Sequence, residues 1–444
     1  MALGTTSTES ASAAAPANAS YILPMVLMVS LYFSIGFITA LNDILIPHFK
    51  DLFHLSNVLA LLVQFCFFGA YFVMSLPCGW IIGRIGYKPG IIAALCTMAA
   101  GLLLFVPASI IVSYPLFLFA LFVVGSGLAL LQVAINPYVG ALGKPETAAA
   151  RLNLCGGLNS LATTIAPKLG ATFIFVAAGA TTAQLARSVR IPYVLIAAFT
   201  LLVALVTAFI PLPEVVEKRT DGESGYAGAW SFVHLRFGAL AIFTYVGAEV
   251  AIGSIIINYL GQPSMGSMSH LAAATYVTLY WGGAMIGRFI GSGVLLYVKA
   301  ERALAVVATV ALALVAATIV VPAHTILVAI GFDQHIALAR IPLGASVVAC
   351  GLFNSVMWPC IFPLSLKGLG KFTSHGSGIL VTMIVGGAII PELQGLLADH
   401  FGYQPSFLIV AACYAYLVYF ALDGYRVRQP RFASLPDYVP PPAI

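Results

Sequence analysis

Charge is what this chain has least of. Only 8% of its 444 residues are Asp, Glu, Lys or Arg, against roughly 25% in an ordinary soluble domain. By contrast, 61% are hydrophobic and the mean hydropathy is +1.02. A water-soluble globule is excluded, because too few polar residues remain to cover its surface. The signatures of membrane-bound catalysis are missing as well: there is no HExxH, no Walker lysine loop, no GxSxG and no Cys/His metal cluster. The seven cysteines (Cys66, Cys78, Cys96, Cys155, Cys350, Cys360, Cys413) fall inside apolar runs, without the paired spacing of a metal site or a disulfide framework. No cofactor is therefore expected, and the chain does not read as an enzyme. Residues 1–20, rich in Ala, Ser and Thr, lack the basic start of a cleavable signal and read as a disordered tail.

What the chain does have is long apolar runs. A helix needs about 20 apolar residues to cross the hydrocarbon, and twelve runs qualify, at 22–47, 57–82, 89–108, 114–142, 150–179, 191–211, 235–260, 270–298, 303–331, 341–366, 374–397 and 404–425. The 20 Lys and Arg residues set the orientation. With the N-terminus cytoplasmic, fourteen of them fall inside and four (Lys50, Arg187, Arg190, Arg340) outside. Both termini are thus expected in the cytoplasm of a multi-pass inner-membrane protein. The basic excess belongs to topology, and no nucleic-acid partner is expected.

The longest polar interruption, Pro211–Arg236, follows the sixth run and mixes Pro, Gly and charge as a linker does. The expected organisation is a six-helix bundle over 21–211, a cytoplasmic linker over 212–234, a second bundle over 235–426 and a cytoplasmic tail over 427–444. "GLALLQVAINPYVGALGK" from Gly127 resembles "GLFNSVMWPCIFPLSLKGLGK" from Gly351, and "APKLGA" from Ala166 resembles "IPELQG" from Ile390. Six plus six helices in parallel repeats resemble the major facilitator architecture: two halves related by a pseudo-two-fold axis, with the substrate near the midplane between them. "GWIIGRIGYKPG" from Gly79 resembles the cytoplasmic gating motif of that superfamily, with Arg84 and Lys88 as its basic residues. Gly83 stands where the superfamily's usual Asp would be. The other reading of that stretch is a tight turn with two positive-inside charges.

Five formally charged side chains remain within spans: Asp43, Lys168, Glu249, Arg288 and Glu392. An ionised group at a helix centre costs about 2.5–3.5 kcal/mol on insertion scales, so it faces a bundle interior or a watery cavity and marks function. Burial favours the neutral form of a carboxyl group, and alternation between neutral and charged forms is how a carrier couples a proton to a solute. Lys168 and Glu392 follow Pro167 and Pro391 at equivalent places in the two repeats, which leaves open either a mutual pair or separate solvation at helix ends.

The motifs "ALNDILIPHF", "LLQVAINPYVGALG", "RLNLCGGLNSL", "YVGAEVAIGSIIINYL" and "FNSVMWPCIFPLSLKGLG", in this order, resemble the fucose, glucose/galactose proton symporter family over nearly the whole chain after Tyr21. "GAEVAIGS" leans toward the glucose/galactose branch. The resemblance implies an all-α, 12-helix major facilitator fold and a proton-coupled hexose symporter whose proton-coupling carboxylate is Asp43, beside Asn42. It also implies departures. Gln132 replaces a Glu of the fucose branch, Trp358 a pocket Tyr, Ala40 an Asn, and Gly156 an amide of many relatives, so fucose itself is not the expected sugar.

The residue types left are suited to a sugar. Gln132 and Asn136, four apart, share a helix face. Asn42, Asn159, Asn354 and Gln64 add amides that both donate to and accept from hydroxyls, and Trp358 offers an apolar face to the ring. Arg288 matches a family Arg that contacts sugar. Glu249 has two jobs open to it, a strong acceptor for sugar hydroxyls or a second titrating group. For each amide the alternative is helix–helix glue, and for Trp358 it is packing. The expected partners are a small sugar, protons and membrane lipid, with the protein a monomer. An N-acetylhexosamine permease is the alternative carrier, since Gly156 leaves room for an acetamido group. A non-transporting sugar sensor is the other, although no sequence for an output domain is evident.

Overall fold

The computed structural model describes residues 21–55, 57–174, 181–213, 225–265, 267–320 and 346–428, almost all helical. The reason lies in the solvent: hydrocarbon offers no hydrogen bonds, so each backbone N–H and C=O must be satisfied within its own segment. The helices are α1 (Ile22–Phe53), α2 (Asn57–Ile85), α3 (Tyr87–Leu103, resuming as Phe105–Ile111), α4 (Tyr114–Ala141), α5 (Ala148–Ile174) and α6 (Arg190–Phe209). After a short helix, Gly225–Trp230, come α7 (Val233–Leu260), α8 (His270–Val294) and α9 (Ala300–Val320). The last three are interrupted: α10 (Ser346–Asn354, then Met357–Leu366), α11 (Thr373–Thr382, a 3-10 turn Met383–Val385, then Gly386–Phe401) and α12 (Tyr403–Tyr419, ending in a π turn Phe420–Gly424).

All twelve apolar runs are therefore helical where described, with adjusted bounds. α1 extends six residues past the expected 47 and stops at His54, whose φ of 49° lies in the left-handed region. α8 ends at Val294 rather than 298. The stretch expected to carry the ninth run on to 331 and to begin the tenth at 341 falls outside the described residues, as do the tail 1–20 and positions 429–444 of the second tail. Within the expected linker, 225–230 is a helical turn and 214–224 lies outside the described residues. The tenth run is not one straight helix: its two pieces meet at 41°. Pro359 explains the break, since it lacks an N–H and its ring crowds the carbonyl four residues back, at Ser355. Pro107 does the same to α3 at Leu103.

Among the described residues, nine helices are long and apolar enough to cross a membrane, ten with the bent α10. The two that fall short, α5 and α8, carry Arg151, Asn153 and Asn159, and Arg288. They pack against each other, so their polar faces are turned away from lipid.

Packing repeats with a shift of six helices. α1 lies on α5 as α7 lies on α11, α2 on α4 as α8 on α10, and α3 on α6 as α9 on α12. The contacts between the two groups obey the same shift, with α2 against α11 and α5 against α8. This is the expected pair of six-helix halves related by a pseudo-two-fold axis. Helices alternate in direction, so the ends of α2, α4, α8 and α10 share one side of the bundle with the linker. That side is tied by Lys88 Nζ on the Ile210 carbonyl (2.9 Å) and Tyr138 Oη on the Pro213 carbonyl (2.9 Å).

Candidate functional site

Burying an ion without a partner is strongly destabilising, so the intramembrane charges locate the site. Tyr245 and Glu249 stand four apart on α7, on one face, and both are buried. The Tyr245 hydroxyl interacts electrostatically with the Glu249 carboxylate. Arg288 of α8 addresses both: it interacts with Tyr245, and its Nη2 lies 3.7 Å from Glu249 Oε1. At that distance the contact is an ion pair and not a hydrogen bond, and Oε1 has no hydrogen-bond partner. The two side chains retain 18% and 10% exposure. A carboxylate beside a guanidinium suits adjacent hydroxyls on a small polar solute, one donating and the next accepting.

Behind this pair runs a chain of hydrogen bonds. Tyr280 Oη donates to the Glu249 backbone carbonyl, Asn354 Nδ2 donates to Tyr280 Oη, and Tyr414 Oη donates to Asn354 Oδ1, each at 2.8 Å. It joins α7, α8, α10 and α12 and fixes the backbone that carries Glu249. Asn354, expected among the sugar-facing amides, is fully buried, and both amide ends are taken by tyrosines. The structure places it behind the site as support.

The other half presents amides. Gln132 Nε2 donates to Tyr71 Oη at 3.0 Å, Tyr32 Oη donates to Asn136 Oδ1, and Asn159 Nδ2 donates to the Tyr32 carbonyl at 3.0 Å. Gln132 and Asn159 are half-buried, whereas Asn136 is buried with its Nδ2 lacking a partner. Trp358, just past the α10 break, is half-buried and stacked on Phe362 with centroids 5.5 Å apart and planes 26° from parallel. The halves meet polar to polar where Arg288 Nη1 donates to Ser160 Oγ and, at 3.5 Å, to the Gly156 carbonyl of α5.

The second seam between the halves is the crossing of α2 and α11 on the linker side. Here glycine matters because the backbones nearly touch: a Cβ on Gly378 would stand 2.8 Å from the Ser75 carbonyl oxygen, and one on Gly79 2.8 Å from that of Ser374. Gly83, in the place of the superfamily's usual Asp, faces Ser374 Oγ and His375, 3.0 and 3.2 Å from a Cβ built there. The linker helix closes over this crossing. Tyr226 donates to the Leu76 carbonyl, and its ring meets His375 edge-on at 4.7 Å. Of the two expected gating cations, Lys88 bonds within its own half, to Ile210, and Arg84 lies 3.8 Å over the Trp80 ring.

The side chains of Asn42, Asp43, Gln64 and Lys168 lie outside the described part of the structure. Glu392 is exposed on α11. The tyrosines Tyr32, Tyr71, Tyr245, Tyr280 and Tyr414, with Ser160 and Asn153, are functional candidates that sequence reasoning passed over. For Tyr245 a signal existed in its four-residue spacing from Glu249.

A family model described as Major Facilitator Superfamily matches residues 28–390. A glucose/galactose transporter of Brucella abortus is 48% identical over 410 residues, covering 91% of this chain and 95% of its own length. The L-fucose-proton symporter of Escherichia coli is 34% identical over 425 residues, 90% of this chain and 93% of its own length. A crystal structure of the fucose transporter FucP in the outward conformation superposes with a TM-score of 0.80 at 32% identity, covering 91% of this chain and 99% of the other.

Proposed function

The chain belongs to the Major Facilitator Superfamily, and on that premise we propose that it is a proton-coupled hexose symporter of the glucose/galactose type. It works as a monomer in the inner membrane with both termini cytoplasmic, the side to which the basic loops assign them. Sugar binds between the halves, near Glu249, Arg288, Gln132, Asn159 and Trp358, and alternating access carries it across. The observation that carries this reading is the largely buried Glu249–Arg288 ion pair, whose Arg288 also reaches Ser160 of the other half. The similarity to a named glucose/galactose transporter at 48% identity supports the sugar class. Asp43, from its place in the Asn-Asp motif, is the principal proton carrier.

The N-acetylhexosamine alternative would use the space beside Gly156, which the Arg288 arm borders: a Cβ built there would lie 3.5 Å from Arg288 Cδ, an ordinary van der Waals contact. The test is uptake by proteoliposomes under an inward proton gradient, with labelled glucose, galactose, mannose, fucose and N-acetylglucosamine. Glucose or galactose accumulation that collapses with the gradient is the expected result. Accumulation of N-acetylglucosamine alone, or none of any sugar, overturns the reading.

A further inference from the structure

On the linker side of the site, one residue makes a cluster of polar links between α5 and α8. Arg288 donates to Ser160 Oγ and to the Gly156 carbonyl, while its own backbone carbonyl accepts from Asn153 Nδ2 at 2.8 Å. Asn153, Gly156 and Ser160 are spaced three and seven residues along α5, which puts them on one face. The helices are close enough for this because of glycine. A Cβ on Gly157 would come within 3.0 Å of the Phe289 ring, and one on Gly291 within 2.5 Å of Asn153 Nδ2. Asn153 is fully buried, with Oδ1 unpartnered. A buried amide with half its capacity unused is unfavourable, and here the other half is spent on a carbonyl of the opposite helical group.

Arg288 is thereby shared. Toward its own half it faces the Glu249 carboxylate and Tyr245, and toward the other half it meets only uncharged acceptors. The charged partner holds it more strongly, so when the halves separate the bonds to α5 are the ones that part.

We propose that Asn153, Gly156 and Ser160 form a dock for Arg288 that locks the two halves together on the linker side. Ser160 and Asn153 are positioning residues that set how readily this side opens, and they do not bind sugar. The inference rests on the transport reading above, because opening of this side is the step that releases sugar to the cytoplasm.

The test uses the full-length protein in nanodiscs, without sugar, and reads amide hydrogen exchange by mass spectrometry in wild type, Ser160→Ala and Ser160→Thr. Ser160→Ala is expected to raise exchange at least threefold in peptides covering 148–160 and 286–298. Peptides of α3 and α6 should stay unchanged, and Ser160→Thr, which keeps the hydroxyl, should restore the wild-type pattern. Glucose and galactose dissociation constants, measured in parallel, should stay within threefold of wild type. Unchanged exchange in Ser160→Ala overturns the dock, as does a tenfold loss of sugar affinity without an exchange change, which would make Ser160 a ligand. A wild type that binds neither sugar defeats the transport reading instead, and the sugar-free exchange data still decide the lock.

Discussion

Glu249 is held in two ways: Tyr280 donates to its backbone carbonyl, and Arg288 stands off from its carboxylate at ion-pair distance. Glu249→Gln keeps shape but leaves Arg288 without its counter-charge, so the site loses its strongest acceptor for hydroxyls. Sugar affinity should fall about tenfold, near 1.4 kcal/mol, with little change in pH profile. Titrating sugar binding at several pH values checks this, and unchanged affinity with a displaced pH optimum would make Glu249 the coupling residue. Asp43→Asn should abolish accumulation driven by a pH gradient while counterflow persists, since exchange of labelled for unlabelled sugar moves no net proton. Full gradient-driven accumulation in that variant would reject Asp43 as the carrier. Gln132→Ala should leave sugar hydroxyls unpaired at about 1–3 kcal/mol, read as a weaker dissociation constant. Sequence singled out charges and amides because they stand out against an apolar background. It was silent on Tyr32, Tyr71, Tyr245, Tyr280 and Tyr414, whose rings count as apolar while their hydroxyls make most of the bonds. It also could not tell Asn354, with both amide ends taken inside one half, from Gln132 and Asn159, which stay half-exposed.

At the level of elements, the helices follow from hydropathy, and the breaks follow from local chemistry. The α10 bend was legible in Pro359 by a rule as simple as a missing N–H, yet a continuous apolar run concealed it. The seams were less legible, because close approach depends on which glycines face each other. Gly79 and Gly378 do, whereas glycines such as Gly282 and Gly293 have nothing near the position of a Cβ. Adding one methyl at the α2–α11 crossing should therefore act on alternation more than on binding. Gly378→Ala places a carbon 2.8 Å from the Ser75 carbonyl oxygen, a contact that forces α2 and α11 apart. The expected outcome is a several-fold drop in the counterflow rate with sugar affinity within twofold, and an unchanged rate would show that the crossing has slack. Tyr226→Phe tests the linker helix at the same seam, since it removes only the donation to the Leu76 carbonyl.

For the whole molecule, low charge excluded water as the solvent and twelve apolar runs gave the helix count, because the membrane permits so few solutions. The repeat was faint in sequence but plain in packing, where the α1–α5, α2–α4 and α3–α6 pairings recur six helices later. What no composition could reveal is that the two least apolar helices, α5 and α8, belong to opposite halves and cover each other. That pairing has a consequence for how the protein is made. α5 enters the bilayer with Asn153 and Ser160 on its surface well before the ribosome reaches α8, so during synthesis its polar stripe has no protein to face. Until residue 294 has emerged, that stripe must be sheltered by the insertion machinery or by headgroup water. A chain severed within the linker should leave an N-terminal fragment that is degraded when expressed alone and rescued when the C-terminal fragment is supplied in the same membrane.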